Sequence, residues 1–171
     1  MRTQLSNYRE WEITVPAEIK GDSVWKSEAY RLALFAADLG WHDATRLLTD
    51  KRTISVADQL YRSVGAVSAD VEERYSRGTG RDRARFYEYG LGSAREARGW
   101  YFKGRHVLGT EVTGHRLQLL TQIVKLLLTM IPDQRGQVLH EDSPPYHAAV
   151  EPPFLETTTN LDELLDIVPM P

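Results

Sequence analysis

The stretch "YSRGTGRDRARFYEYGLGSAREARG", residues 75–99, contains a break between two helical patterns. Gly78 and Gly80 interrupt the apolar periodicity, and Thr79 between them is a favourable N-cap with Asp82 three residues later. The stretch therefore predicts that one helix ends and another begins here. It does not match the GxGxxG pattern of a dinucleotide-binding loop, and no strand pattern precedes it.

Helical periodicity continues on both sides of this break. Apolar residues recur at helical spacing over 54–75 before it and from Thr79 to about residue 103 after it. Two further helices are predicted over 24–39 and 110–131, whereas 43–50 could be a short helix or a loop.

Residues typical of helix ends mark the limits of the outer two helices. Ser23 is a candidate N-cap for the first helix, and Gly40 is a candidate terminator. Gly109 precedes the last helix, and Pro132 follows it.

Four long helices without strands and with short connections predict an all-α fold, an antiparallel up-and-down four-helix bundle over residues 23–131. Residues 1–22 are predicted to form an extended N-terminal arm, because "WEITV" has strand-like composition and Pro16 follows it. Residues 132–171 are predicted to be a proline-rich acidic tail.

The tail ends in a short amphipathic pattern, "TNLDELLDIV". Its apolar residues are spaced as on one face of a helix, which predicts a terminal helix that docks on a bundle, either its own or a neighbour's. These tail-docking residues are Leu161, Leu164, Leu165 and Val168.

The fourth helix carries two adjacent apolar stripes, although one stripe suffices for a bundle helix. The first stripe is Leu117, Leu120, Val124, Leu127 and Ile131. The second is Leu119, Ile123, Leu126 and Met130, and it predicts an interface with another subunit of a homo-oligomer.

Charge is unevenly distributed along the 171 residues, whose net charge is −3. Residues 132–171 contain eight acids and one arginine, a net charge of −7, which leaves +4 for the rest. Residues 74–105 hold nine cations against three acids. A basic body with an acidic tail indicates partners that bind through opposite charge.

The arginines admit two interpretations: a solvated helix face, or a phosphate-binding face with Tyr75, Phe86, Tyr87 and Tyr89 available for stacking. The candidate nucleic-acid contacts are Arg74, Arg77, Arg81, Arg83, Arg85, Arg95 and Arg98.

The sequence gives little support for an enzyme, a metal-binding protein or a membrane protein. The chain has no cysteine, which excludes disulfides and thiol chemistry and fits a cytoplasmic location. No GxSxG or SxxK pattern occurs.

Glu111 and His115 have a metal-chelating spacing, but the partner ligands of a di-iron bundle are missing, so a solvated helix terminus is expected. No signal peptide or membrane span is predicted. We therefore expect no catalytic residue, cofactor or metal.

Two blocks, "QLYRSVGAVSADVEERYSR" at 59–77 and "ARFYEYGLGSAREA" at 84–97, resemble the bacterial four-helix-bundle proteins first noticed in intervening sequences of 23S ribosomal RNA genes. A related bundle is the accessory variability protein of diversity-generating retroelements. The resemblance covers about residues 24–131. The matching residues are Gln59, Arg62, Ala69, Glu73, Arg77, Phe86, Gly92, Ser93 and Glu96; Ser68, Asp70 and Arg74 depart from the pattern.

The resemblance implies a ring-forming, often pentameric bundle, and in the retroelement case binding of a reverse transcriptase and nucleic acid. The sequence hypothesis is a non-enzymatic oligomeric accessory protein for nucleic acid or a nucleic-acid enzyme. The alternative is a protein adaptor whose acidic tail recruits a partner.

Four polar residues of the matching blocks are expected to be partly buried and to form a connected network between the second and third helices. They are Gln59, Arg62, Glu73 and Glu96, and Gly92 beside Ser93 is expected to permit the close crossing of these helices.

Overall fold

The computed structural model describes residues 7–135 and 160–171. Residues 1–6 and residues 136–159, which hold most of the predicted proline-rich acidic tail, lie outside the described residues. The helices are α1 (Tyr8–Thr14), α2 (Ala17–Lys20), α3 (Glu28–Leu47), α4 (Ile54–Tyr75), α5 (Gly80–Leu108), α6 (Thr110–Arg135) and α7 (Leu161–Asp166), with short 3₁₀ turns at Ser23–Lys26 and Lys51–Thr53. No strand occurs in these two ranges, and the prediction of an all-α fold is confirmed.

The N-terminal region is helical from Tyr8 onward, so the prediction of an extended arm is wrong for α1 and α2. Asn7 caps α1 by accepting from the backbone N–H of Glu10. Trp11 is buried, its ring centroid lies 5.0 Å from that of Phe35, and its indole donates to Asp38 at 2.9 Å. Packing on α3 thus overrides the strand-like composition of "WEITV".

The first long helix begins later and ends later than predicted. Residues 23–26 form a 3₁₀ turn, and Ser27, not Ser23, caps α3. The helix passes through Gly40, which lies against α4: a Cβ added there would come within 3.3 Å of Val64 Cγ1. Gly40 is therefore a packing residue and not a terminator.

The break at Gly78–Gly80 is where the sequence places it. Thr79 caps α5 by accepting from the backbone N–H of Asp82, and its hydroxyl donates to the Asp82 carboxylate at 2.7 Å. At the other end, α5 extends past residue 103 to Leu108. Gly109 then joins α5 to α6 with φ +84°, a left-handed conformation that favours glycine.

Both apolar stripes of α6 pack within this chain. Leu119 and Ile123, predicted to contact another subunit, are completely buried in the core, while Leu126 and Met130 are half-buried against it. The interface prediction is therefore wrong for Leu119 and Ile123, since α6 packs on α3, α5 and α7. The helix also continues through Pro132 instead of ending at Ile131.

The four long helices pack in chain order, α3 on α4, α4 on α5 and α5 on α6, and α3 also contacts α6. The C-terminal helix α7 lies against α1 and α6. Leu164 and Val168 are buried there, and Leu161 and Leu165 pack against the same core. One continuous core thus includes the N-terminal helix and the C-terminal segment.

Candidate functional site

The turn between α4 and α5 gathers basic and aromatic side chains. Because α4 ends at Tyr75 and α5 begins at Gly80, only residues 76–79 separate the two helices. The last turn of α4 and the first turns of α5 therefore share one end of the molecule. We call this region the arginine–aromatic surface; it comprises Arg74, Tyr75, Arg77, Arg81, Arg83, Arg85, Phe86 and Tyr89, and the buried Tyr87 lies against Arg74.

Guanidinium groups on this surface stack on aromatic rings. The Arg74 guanidinium carbon lies 4.4 Å from the Tyr75 ring centroid and 4.9 Å from that of Tyr87. Arg77 lies 4.6 Å from the Phe86 ring in the same way. Such cation–π contacts hold the long side chains in place while their N–H groups remain able to donate.

Arg85 and Tyr89 form a further pair one turn apart on α5. Arg85 donates to the Tyr89 hydroxyl, and its guanidinium carbon lies 5.4 Å from the ring centroid. Tyr89 is 44% exposed, so its ring borders solvent. Burial raises the pKa of the neighbouring Tyr87 to about 12, which keeps that phenol neutral.

Acids neutralise only part of this positive charge. Glu73, in the last turn of α4, forms an ion pair with Arg77 in the connection that follows, and Asp82 is engaged with Thr79. Arg74 Nε is buried without a hydrogen-bond partner in the described part of the chain.

The structure does not bring all seven predicted arginines together. Arg95 and Arg98 follow Arg85 by ten or more residues on the same helix, about 15 Å or more along its axis. Arg98 donates to Thr121 on α6 at 3.2 Å, and burial lowers its pKa. These two residues therefore lie apart from the arginine–aromatic surface.

The predicted polar network between the second and third helices does not form. Arg62 has a 73% exposed side chain and faces Asp58 of its own helix at 3.7 Å. Glu73 pairs with Arg77 just after the end of α4, and Glu96 accepts from the indole of Trp100 at 3.0 Å within α5. These residues lie on outward helix faces, where neighbours one turn apart satisfy them. Gln59, the fourth, is half-buried on α4.

The expected role of Gly92 is also wrong. Gly92 is exposed, with no atom near the place of a Cβ. Gly90 makes the close approach instead, since a Cβ there would lie 3.6 Å from the carbonyl oxygen of Val67. Ser93 still links α5 to α4 by donating to Asp70 at 3.3 Å, and burial raises the pKa of that carboxyl.

A different polar cluster occupies the core. Arg116 and Asp43 are both completely buried, and Arg116 Nε donates to Asp43 Oδ2 at 2.8 Å and Nη2 to Oδ1 at 3.2 Å. The buried Tyr101 hydroxyl donates to the same Asp43 Oδ2 at 2.8 Å. Burial raises the pKa of Tyr101 well above its ordinary value. The cluster joins α3, α5 and α6.

The C-terminal segment covers this cluster. The Leu164 carbonyl lies 2.7 Å from His115 Nε2, and the Pro169 carbonyl accepts from Arg116 Nη2 at 2.9 Å. His115 Nδ1 lies 2.8 Å from Arg116 Nη1, so His115 connects the segment to the ion pair. Burial, then the Arg116 charge, lowers the pKa of His115 to about 4.

His115 is therefore a buried packing residue, and its expected place on a solvated helix end is wrong. Glu111, four residues earlier, is exposed. In the described ranges no three His, Cys, Asp or Glu side chains are grouped as metal ligands.

A sequence signal for the cluster did exist. Asp43 lies between Leu39 and Leu47 at steps of four, on the apolar face of α3. Arg116 likewise falls between Val112 and Leu119 on α6. Opposite charges on the apolar faces of two helices indicate a buried ion pair once both helices are known to meet.

No helix in the described ranges is long and apolar enough to cross a membrane. No protein family, curated protein or solved structure matches the chain. The resemblance to the bundle family of the ribosomal intervening sequences thus stays a prediction.

Proposed function

We propose that this chain is a non-enzymatic, homo-oligomeric four-helix-bundle protein that binds nucleic acid through the turn between α4 and α5. It would serve as an accessory protein for nucleic acid or for a nucleic-acid enzyme such as a reverse transcriptase. The observation that carries this proposal is the stacking of Arg74, Arg77 and Arg85 on aromatic rings at one end of the molecule.

The bundle part of the proposal is supported by helix packing. The helices α3 to α6 contact one another in chain order, and α3 contacts α6, as expected of four helices around one core. The accessory role is supported by the sequence resemblance described above.

The arrangement of the arginines suits phosphate better than a scattered basic surface would. Side chains held against rings lose less rotamer freedom when they bind a phosphate. Rings that border solvent, such as Tyr89, add a stacking surface for unpaired bases. Arg81 and Arg85 are exposed one turn apart on α5 and would contact successive phosphates.

The test is a pair of charge-matched double variants. Arg81→Gln with Arg85→Gln removes two charges from the arginine–aromatic surface, and Arg9→Gln with Lys125→Gln removes two exposed charges elsewhere. Binding of labelled single-stranded RNA and duplex DNA is measured by fluorescence anisotropy at two salt concentrations. The first variant is expected to bind about tenfold more weakly at low salt, with a smaller salt dependence, because each lost phosphate contact reduces the slope of log K against log salt by about 0.7 to 0.9.

Equal losses in both variants would show that only overall charge matters. Absence of binding by the wild-type protein at low salt would show that the arginines are a solvated surface, and the nucleic-acid proposal would be wrong.

The alternative is a protein adaptor whose acidic C-terminal segment recruits a partner. It is favoured by the outward position of Asp162, Glu163 and Asp166, which are exposed on α7. Because Leu164 and Val168 are buried against the chain's own core, such a partner would contact the acidic face and not the apolar one. A truncation that removes residues 160–171 would abolish partner binding and leave RNA binding unchanged.

A further inference from the structure

Four large apolar side chains are exposed along the α3–α4 hairpin: Trp41 on α3, Leu48 directly after its end, and Ile54 and Tyr61 on α4. Trp41 and Leu48 are 59% and 56% exposed, and Ile54 and Tyr61 are 50% and 46% exposed. Ile54 and Tyr61 are seven residues apart on one face of α4, and Leu48, seven residues after Trp41, continues the same side of α3 into its C-cap. The Trp41 and Tyr61 rings meet edge to face, with centroids 5.9 Å apart. We call these four residues the α3–α4 apolar patch.

This patch is not explained by nucleic-acid binding, since it lies on a different helix pair from most of the arginine–aromatic surface. Single exposed apolar residues are ordinary, but contiguous clusters of large ones usually mark a surface that another molecule covers. Trp and Tyr are also the residues that most often dominate binding energy at protein interfaces.

Exposed charges around the patch are mostly positive. Between residues 41 and 62 the cations are Arg46, Lys51, Arg52 and Arg62, and the acids outside the core are Asp50 and Asp58. Asp50 is paired with Arg52 at 2.6 Å and Asp58 faces Arg62 at 3.7 Å, so an excess of two positive charges remains. A partner that fits this surface combines an apolar residue with acids.

The C-terminal segment presents such a surface on its outer side. Ile167 is 76% exposed, and it is flanked by the exposed acids Asp162, Glu163 and Asp166. Residues 160–171 contain no lysine or arginine. The segment's inner side is already occupied by its own core through Leu164 and Val168. Its outer side is thus complementary to the α3–α4 apolar patch in both apolarity and charge.

We infer that copies of this chain associate head to tail, with the outer side of residues 160–171 of one copy docked on the α3–α4 apolar patch of the next. This inference rests on the homo-oligomeric part of the proposed function and not on nucleic-acid binding. Because the two surfaces differ, the contact is heterologous, and each copy contributes one donor and one acceptor surface.

Two single variants and their mixture test this geometry. Trp41→Asp removes the acceptor surface and Ile167→Asp the donor surface, both at exposed positions, so circular dichroism should show unchanged helicity. Each variant alone is expected to sediment as a monomer at concentrations where the wild type is oligomeric. An equimolar mixture should form a dimer, because one intact donor and one intact acceptor remain. Leu128→Asp, 40% exposed on α6, is the control and should assemble like the wild type.

Other outcomes overturn the inference in distinguishable ways. If Ile167→Asp assembles normally while Trp41→Asp does not, the patch pairs with itself. If both variants assemble normally, the oligomer uses another surface. A monomeric wild type would contradict the homo-oligomer as well and leave the patch for a different protein, whereas the RNA-binding test would be unaffected.

Discussion

Arg116 is the largest side chain that the described part of the chain buries completely. Its charge is compensated by Asp43, and its remaining N–H groups point to His115 and the Pro169 carbonyl. A buried ion pair adds little net stability compared with an apolar pair, because both charges lose their hydration. The loss of one partner is costly, however, since the other charge is then stranded.

Asp43→Asn should therefore destabilise the protein strongly. Asparagine keeps the shape and an acceptor for Tyr101 but leaves Arg116 buried without a counter-charge, at a cost of about 3–5 kcal/mol. Urea unfolding followed by circular dichroism measures the change. Asp58→Asn removes a solvent-exposed ion-pair partner and should change the midpoint little. Similar midpoints for the two variants would contradict a buried Asp43–Arg116 pair.

His115 should make stability depend on pH. Its pKa is about 4 in the folded chain and 6.5 in the unfolded chain, so the unfolded chain binds more protons between these values. The free energy of unfolding is then highest above about pH 6.5 and falls as pH decreases toward 4, by about 3 kcal/mol in total.

Unfolding midpoints at a series of pH values measure this slope. His115→Gln should flatten it, and His106→Gln, at an exposed position on α5, should not. A slope that survives in His115→Gln would assign the proton uptake to other groups.

At the scale of elements, the sequence predicts helices whose ends carry their own signals. Thr79 caps α5 and Asn160 caps α7, so local residues suffice there. The sequence-based prediction fails for α1, because "WEITV" is short and its conformation depends on Trp11, which packs against Phe35 and donates to Asp38. The prediction also fails at Gly40, because a glycine that is typical of a helix end here lies inside α3 and allows close packing against Val64.

Two glycines inside α5 should respond oppositely to alanine. Gly92→Ala should stabilise the protein by up to about 1 kcal/mol, because nothing occupies the place of its Cβ and alanine favours helix. Gly104→Ala should destabilise it by about 1–3 kcal/mol, because the added Cβ would lie 2.9 Å from Cδ2 of the completely buried Leu47. Thermal unfolding by calorimetry compares them, and equal shifts would contradict the close approach at Gly104.

At the scale of the whole molecule, the sequence does not show which surfaces cover one another. The second stripe of α6 is visible in the sequence, but whether another subunit or the chain's own helices cover Leu119 and Ile123 depends on the tertiary arrangement. The same holds for Asp43 and Arg116, which are 73 residues apart in the chain. For the candidate site, the sequence identifies the arginines but not their division between the α4–α5 turn and the later part of α5.

Release of the C-terminal segment should loosen only the region it covers. Leu164→Asp with Val168→Asp would place two carboxylates in the core and undock the segment from α1 and α6. Hydrogen exchange measured by mass spectrometry should then show faster exchange in α1 and the first turns of α6, with the α4–α5 turn unchanged. Asp162→Asn, an exposed change in α7, is the control. Uniformly faster exchange would show instead that the segment is needed for the whole fold.

The single residue between α5 and α6 has a consequence for the order of folding. With only Gly109 as connector, these two helices can meet without closing a long loop, so the entropic cost of their pairing is small. The α3–α6 contact, by contrast, joins segments separated by more than sixty residues. Contacts that are close in sequence form faster. We therefore expect the α5–α6 hairpin to be structured in the transition state, so that conservative substitutions within it slow refolding, whereas those that weaken α3 against α6 mainly accelerate unfolding.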